Sequence, residues 1–251
     1  MDHLITPHGS RLVDLLVDDG RASEIREQSR DWPSVDLGPR QLCDLELLIN
    51  GGYSPLDHYI GAAEHRSVCA EMRLASGVLW PLPVVLDIPD ELADSLSVGD
   101  SLALRDREGV MIAALEVDEF YERDLDAEIE AIFGTDDSSH VGVAQYLHRT
   151  RRWAVAGRIE ALQLPVHYDY RELLKTPAEL RNLFSDLQWR QVIAFQTHRT
   201  FHRAQRAMMV EAARDIGANV LVHPVVGLDQ PGDADHYTRI RCYQAAPVSY
   251  T

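Results

Sequence analysis

The chain has 251 residues, 45% hydrophobic and 25% charged, with a formal net charge of −16, which describes a globular protein with room for one large domain or two ordinary ones. The acidity argues against nucleic-acid binding, which depends on Lys and Arg neutralising phosphates, and no apolar run approaches the roughly 18 residues of a membrane span. Three scattered cysteines (Cys43, Cys69, Cys242) without a Cys-x-x-Cys pair argue against structural zinc or a disulfide framework, and the absence of a basic, apolar leader makes the cytoplasm the expected compartment.

Pro7 to Leu16 reads as a loop leading into a short amphipathic helix. Arg40 to Asn50 reads as a second helix, with Leu42, Leu45, Leu48 and Ile49 on one face and Gly51-Gly52 as its stop. From Leu79 to about Tyr121 the period shortens. Pro83–Pro89, Ser101–Asp106 and Val110–Val117 are strand-like runs separated by Gly-containing turns, which predicts a small antiparallel barrel. Asp124 to Phe133 is expected to be an acidic, solvated helix. Asp136, Asp137 and His140 lie in a polar loop with too few ligands to predict a cation site. His58, His65, His148 and His167 read as surface or hydrogen-bonded core residues, and Trp153 to Leu164 returns to strand character.

Near Leu164 the style changes, and we place a boundary at residue 168, giving domains of 1–168 and 169–251. Thr176-Pro-Ala-Glu179 has the signature of a helix start. A strand over Val192–Gln196, a helix from about Phe201 to Ile216, a stop at Gly217 and a strand over Asn219–Val226 then form a parallel βαβ unit. No acid occurs between Asp186 and Glu211. A basic island at a strand-to-helix junction leaves two readings open: a solvated helix start, or a seat for an anionic ligand.

Ligands of open parallel sheets bind beyond the carboxyl ends of the strands. The first strand delivers Gln196, Thr197, His198 and Arg199 there, and the second delivers His223 and the loop at Gly227. A helix N-terminus at the same place favours phosphate or sulfate. Arg199, Arg203 and Arg206 at helical spacing are expected to share one face, with His202 and Gln205 beside them. Such a cluster suits in-line attack on a phosphoryl group, which needs positioning and charge stabilisation. Gly-x-Gly-x-x-Gly, the Walker A loop and His-Glu-x-x-His are all absent from the sequence.

Gln196-Thr197, His202-Arg-Ala204, Leu221–Gly227 and Asp235–Tyr243 resemble the catalytic domain of the ATP sulfurylase family. Pro7–Gly9, Cys43–Leu47, Gly52–Leu56, Met72–Leu74, Leu79–Pro83 and Gly134-Thr135 are similar to that family's PUA-like N-terminal domain. The resemblance implies a PUA-like β-barrel followed by part of a Rossmann-like α/β domain of the HxGH nucleotidyltransferase type. It implies adenylyl transfer from ATP to sulfate, releasing pyrophosphate, with magnesium arriving on ATP. Thr197, Arg199 and His202 would be catalytic. Gln196, His198 and Arg199 would hold sulfate, and His202, Gln205 and His223 the nucleotide.

ATP and sulfate are the implied partners, and a homo-oligomer is one assembly open to the chain. Against the family pattern Gln-Thr-Arg-Asn-Pro-Met/Phe-His-Arg-Ala-His, the chain has His198 for Arg, Arg199 for Asn, Thr200 for Pro and Gln205 for the second His. A Gly-Arg-Asp segment that completes the family's nucleotide site does not occur, so the resemblance implies a C-terminally truncated member. The alternative is a non-catalytic homologue that binds an anion or nucleotide or regulates a full-length partner.

Overall fold

A computed structural model describes residues 4–200, 202–225 and 234–245. The chain divides into two compact units: residues 6–178, and residues 179–251 together with the first five. In chain order the elements of the first unit are α1 (Asp19–Gln28), β1 (Ser34–Asp36), α2 (Pro39–Ile49), β2 (His58–Tyr59), α3 (Ala62–Glu71) and β3 (Leu86–Ile88). They continue with α4 (Asp90–Ala93), β4 (Ser101–Arg105), β5 (Met111–Glu122), α5 (Leu125–Phe133), α6 (Val141–Arg149) and β6 (Trp153–Ala161). α7 (Pro177–Asp186), β7 (Val192–Thr197), α8 (Arg203–Ile216), β8 (Asn219–Pro224) and α9 (His236–Ala245) follow.

The first unit is built on the long antiparallel pair β5–β6, whose register runs from Ala113↔Ala161 to Glu122↔Trp153. β4 lies on the outer side of β5, and β1 pairs with β4 in parallel. Ile112, Leu102, Leu104, Leu115 and Ile159 point into one core with Leu45, Leu48 and Ile49 of α2. That helix forms where the sequence predicts it. Gln41 Oε1 accepts from Gly38 N at 2.9 Å across its first turn, and Asn50 and the left-handed Gly51 (φ 81°) end it.

β5 shifts register between Val117 and Glu119, which bends the strand sharply. Gly157 sits opposite the shift: a Cβ there would lie 1.9 Å from the Glu116 carbonyl oxygen. Only glycine permits that approach.

The expected antiparallel barrel does not close into a ring. The strand path β1-β4-β5-β6-β2 is open, with β3 also paired to β6. β2 and β3 divide the outer edge of β6 between them, at Arg158–Gly157 and at Val155–Trp153 respectively. With two and three residues each, and three in β1, these end strands are too short to close a ring, and short edges instead limit edge-to-edge pairing. α3, which lacks an apolar stripe in the sequence, buries only His65 and Val68.

A second correction concerns α5. The predicted solvated helix carries Glu128, which is 1% exposed. Asp124 caps this helix by accepting from Ala127 N at 3.1 Å. In the polar loop that follows, Asp137 accepts from Ser139 N and Oγ, and His140 caps α6 through Val143 N. Among the described residues no group of three His, Cys, Asp or Glu could hold a metal ion, and no helix is long and apolar enough to cross a membrane.

The second unit has a two-stranded parallel sheet, β7–β8, in register from Val192↔Asn219 to Thr197↔Pro224. α8 packs on it through Met209 and Ala213, against Val220, Ile193, Phe195 and Val222. Gly217 ends α8 in the left-handed conformation (φ 64°), as the sequence predicts.

Candidate functional site

Strand alternation sorts the predicted residues before any chemistry is considered. Ile193, Phe195 and Val222 face α8, so Gln196 and His223, register partners across the pair, project from the opposite face. Both are exposed. Thr197 falls on the α8 side and is 9% exposed. The sheet thus brings Gln196 and His223 together and sets Thr197 apart from them.

Beyond β7 the backbone turns at once. Thr197 Oγ1 accepts from Arg199 N at 3.1 Å, an ST-turn that ends the strand. His198 and Arg199 are exposed, with Arg199 Nε 3.4 Å from His198 Nε2. Phe201 and Gly227, both named in the sequence reading, lie outside the described residues.

His202 is the N-cap of α8. Arg199 therefore precedes the helix, and the expected helical face of Arg199, Arg203 and Arg206 reduces to Arg203 and Arg206, three residues apart. The reason lies in the turn at Thr197, which uses up the residues that would have formed a first helical turn. Arg199, Arg203 and Arg206 form no ion pair among the described residues. The helix N-terminus adds its dipole to theirs.

Gln205 is engaged locally. Its Oε1 accepts from His202 N at 3.2 Å, closing the first turn of α8 in the manner of a capping box.

Two residues absent from the predicted set hold this loop in place. Arg239 of α9 is 2% exposed, and its Nη1 donates to the His198 carbonyl at 2.7 Å and to the Val225 carbonyl at 3.4 Å. It thereby ties the exits of both strands to one helix. Tyr243 OH donates to the Arg199 carbonyl, and burial raises its phenol pKa. α9 starts at a local signal, Asp235 accepting from Thr238 N at 2.9 Å and from its hydroxyl at 2.8 Å. That signal locates the helix but not what its arginine reaches.

With this geometry in view, two family models account for nearly the whole chain. A PUA-like domain matches residues 5–164, and an ATP-sulfurylase domain matches residues 171–251. The chain belongs to the ATP sulfurylase family. Relatives named sulfate adenylyltransferase include one from Mycosarcoma maydis, 45% identical over 249 residues, covering 97% of this chain and 43% of the relative. Another, from Saccharomyces cerevisiae, is 43% identical over 241 residues, covering 95% and 47% respectively.

A solved structure described as a hexameric APS kinase from Thiobacillus denitrificans superposes with a TM-score of 0.78 at 33% identity. It covers 96% of this chain and 44% of that one. The chain thus spans a little under half the length of each of these relatives.

Proposed function

We propose that this chain carries the substrate-anchoring part of a sulfate adenylyltransferase, which joins ATP and sulfate into adenylyl sulfate and pyrophosphate. We assign the PUA-like domain to residues 1–168 and the adenylyltransferase portion to residues 169–251. The observation that carries the reading is the exposed basic turn His198–Arg199 fixed between the end of β7 and the N-terminus of α8, in a chain whose relatives bear that name.

In this reading Gln196, His198 and Arg199 hold sulfate, while His202, the Gln205 amide and the α8 N-terminus hold the ATP phosphates, with His223 near the nucleotide. Magnesium arrives as part of the MgATP substrate. Sulfate attacks the α-phosphorus: one S–O–P bond forms, the bond between the α-phosphorus and its bridging oxygen breaks, and pyrophosphate leaves with that electron pair. No residue need become covalently attached. Thr197 acts through the turn it closes, Arg199 and His202 by stabilising charge on the transferring group. An oligomer of this chain, working in the cytoplasm, is part of the same proposal.

A second reading is favoured by one observation. Gln205, where the family pattern has a histidine, spends its carbonyl oxygen on the α8 cap and cannot carry charge. That supports a homologue that binds an anion or nucleotide without turnover. Pyrophosphate release from MgATP with sulfate or molybdate separates the two. Release dependent on both substrates supports the first reading, and nucleotide binding without release supports the second.

A further inference from the structure

The first unit contains a charged centre that adenylyl transfer does not use. Arg123, at the exit of β5, has a side chain that is 0% exposed. Its backbone N–H donates to Arg152 O at 2.9 Å. The guanidinium Nε lies 3.3 Å from Glu128 Oε2, but without hydrogen-bond geometry, and neither Nη1 nor Nη2 has a hydrogen-bond acceptor among the described residues. Glu128 is already shared: His65 Nε2 is 3.2 Å from the same oxygen, and Tyr146 OH donates to the other.

Two buried cationic side chains therefore compete for one carboxylate. Burial pulls the His65 pKa down, but the Cys69 sulfur and the Glu128 carboxylate beside the ring more than offset it, leaving it at about 9 and the ring protonated at neutral pH. A buried guanidinium with unused donors is a costly feature that an incoming acceptor relieves.

The acceptor has somewhere to sit. A cleft of about 440 Å³ between α3 and α5 has Arg123, His65 and Glu128 in its wall, with Cys69, Ala127 and Ala131 among the residues around it. The remaining charges nearby are committed or peripheral. Glu122 pairs with Arg152, Asp124 caps α5, and Arg66 is exposed at the rim. The buried centre is thus one positive charge in excess, beside an alanine-lined wall.

We propose that this cleft binds a small organic anion, its carboxylate on the Arg123 guanidinium and its apolar end against the α5 alanines. A planar carboxylate matches the fork of a guanidinium in a bidentate pair. The second acceptor the two cations lack is then supplied by the ligand.

Cys69, whose Sγ is 3.8 Å from His65 Nε2, provides a built-in probe. Its thiolate displaces iodide from iodoacetate or iodoacetamide; a C–S bond forms, the C–I bond breaks, and iodide leaves. The two reagents differ chiefly in the carboxylate. Rates at each cysteine are read by mass spectrometry of the alkylated peptides, with Cys43 and Cys242 as references on the same chain.

The expected result is an iodoacetate-to-iodoacetamide rate ratio at Cys69 roughly tenfold above that at Cys43 and Cys242, with butyrate slowing Cys69 alone. Arg123→Gln abolishes the preference. Because that variant replaces a wholly buried side chain, Ala131→Phe, which narrows the rim and leaves the charges in place, is the companion: it abolishes butyrate protection with circular dichroism unchanged. Should Cys69 react with neither reagent, a butyrate-induced rise in melting temperature, present in the wild type and absent in Ala131→Phe, carries the same decision. Equal ratios at all three cysteines, a preference that persists in folded Arg123→Gln, or no thermal shift with butyrate in an unreactive wild type would overturn the proposal.

Discussion

Arg239 donates to the carbonyl of His198 at 2.7 Å from a side chain that is almost wholly buried. The loop that presents the basic turn is therefore held from behind by a helix well removed from it in sequence, and not by its own flanking residues alone. Replacing Arg239 with alanine leaves the His198 and Val225 carbonyls without this charged donor. The expected loss is about 2–3 kcal/mol of local stability, read as faster amide hydrogen exchange across β7, β8 and the first turn of α8. Unchanged exchange there would show that the staple is incidental.

Restoring the family residue at a departed position tests what that position contributes. His198→Arg places a permanent charge beside Arg199, and sulfate affinity should rise by about tenfold, equivalent to about 1.4 kcal/mol. Titration calorimetry with sulfate measures it. Gln205→Ala, by contrast, removes the cap on α8 and should cost about 1 kcal/mol of stability, measurable by urea denaturation.

His65 gives the first unit a pH dependence with a definite sign. Its folded pKa, about 9, lies above the ordinary histidine value of 6.5. The stabilisation it supplies is fully present below about 6.5 and is lost as pH rises through 9. Glu128, held below its ordinary pKa although burial alone would raise it, loses its contribution at the acid end instead. Urea midpoints between pH 6.5 and 9.5 should fall in the wild type, and the fall should be smaller in a folded His65→Gln variant.

Gly157→Ala places a methyl group 1.9 Å from the Glu116 carbonyl oxygen. The β5–β6 ladder has to separate to admit it, and a destabilisation of about 1–3 kcal/mol or more is expected. Thermal denaturation of the purified variant checks it. Gly99→Ala, at a turn with a positive φ but open space around it, is the comparison: it should cost less.

The sequence made some parts of this molecule easy to read because the causes are local. α2 has its apolar stripe and a glycine stop, and β7, α8 and β8 have short connections and Gly217. Other features depend on partners distant in sequence. β1 pairs with β4, and β2 pairs with β6, through strands of three and two residues, too short for alternation to mark. Glu128 looked solvated because its helix is acidic, although Arg123, His65 and Tyr146 converge on it.

The candidate site divides in the same way. The placement of Gln196 beside His223 follows from strand pairing, whereas the offset of Arg199 from α8 follows from the hydroxyl of Thr197 capturing its N–H. The family resemblance supplied the order of the blocks. It left open which side chains the local hydrogen bonds would claim.

The central claim is that the turn Gln196–Arg199 and the start of α8 form an anion and nucleotide seat. Titrating the chain with sulfate and with MgATP, in the wild type and in Arg199→Ala, tests it most directly. The account predicts binding of both ligands, with sulfate affinity falling ten- to a hundredfold in the variant, as loss of a charge-assisted hydrogen bond of about 1.5–3 kcal/mol implies. Binding of neither ligand, or sulfate binding that is the same in Arg199→Ala, would contradict it.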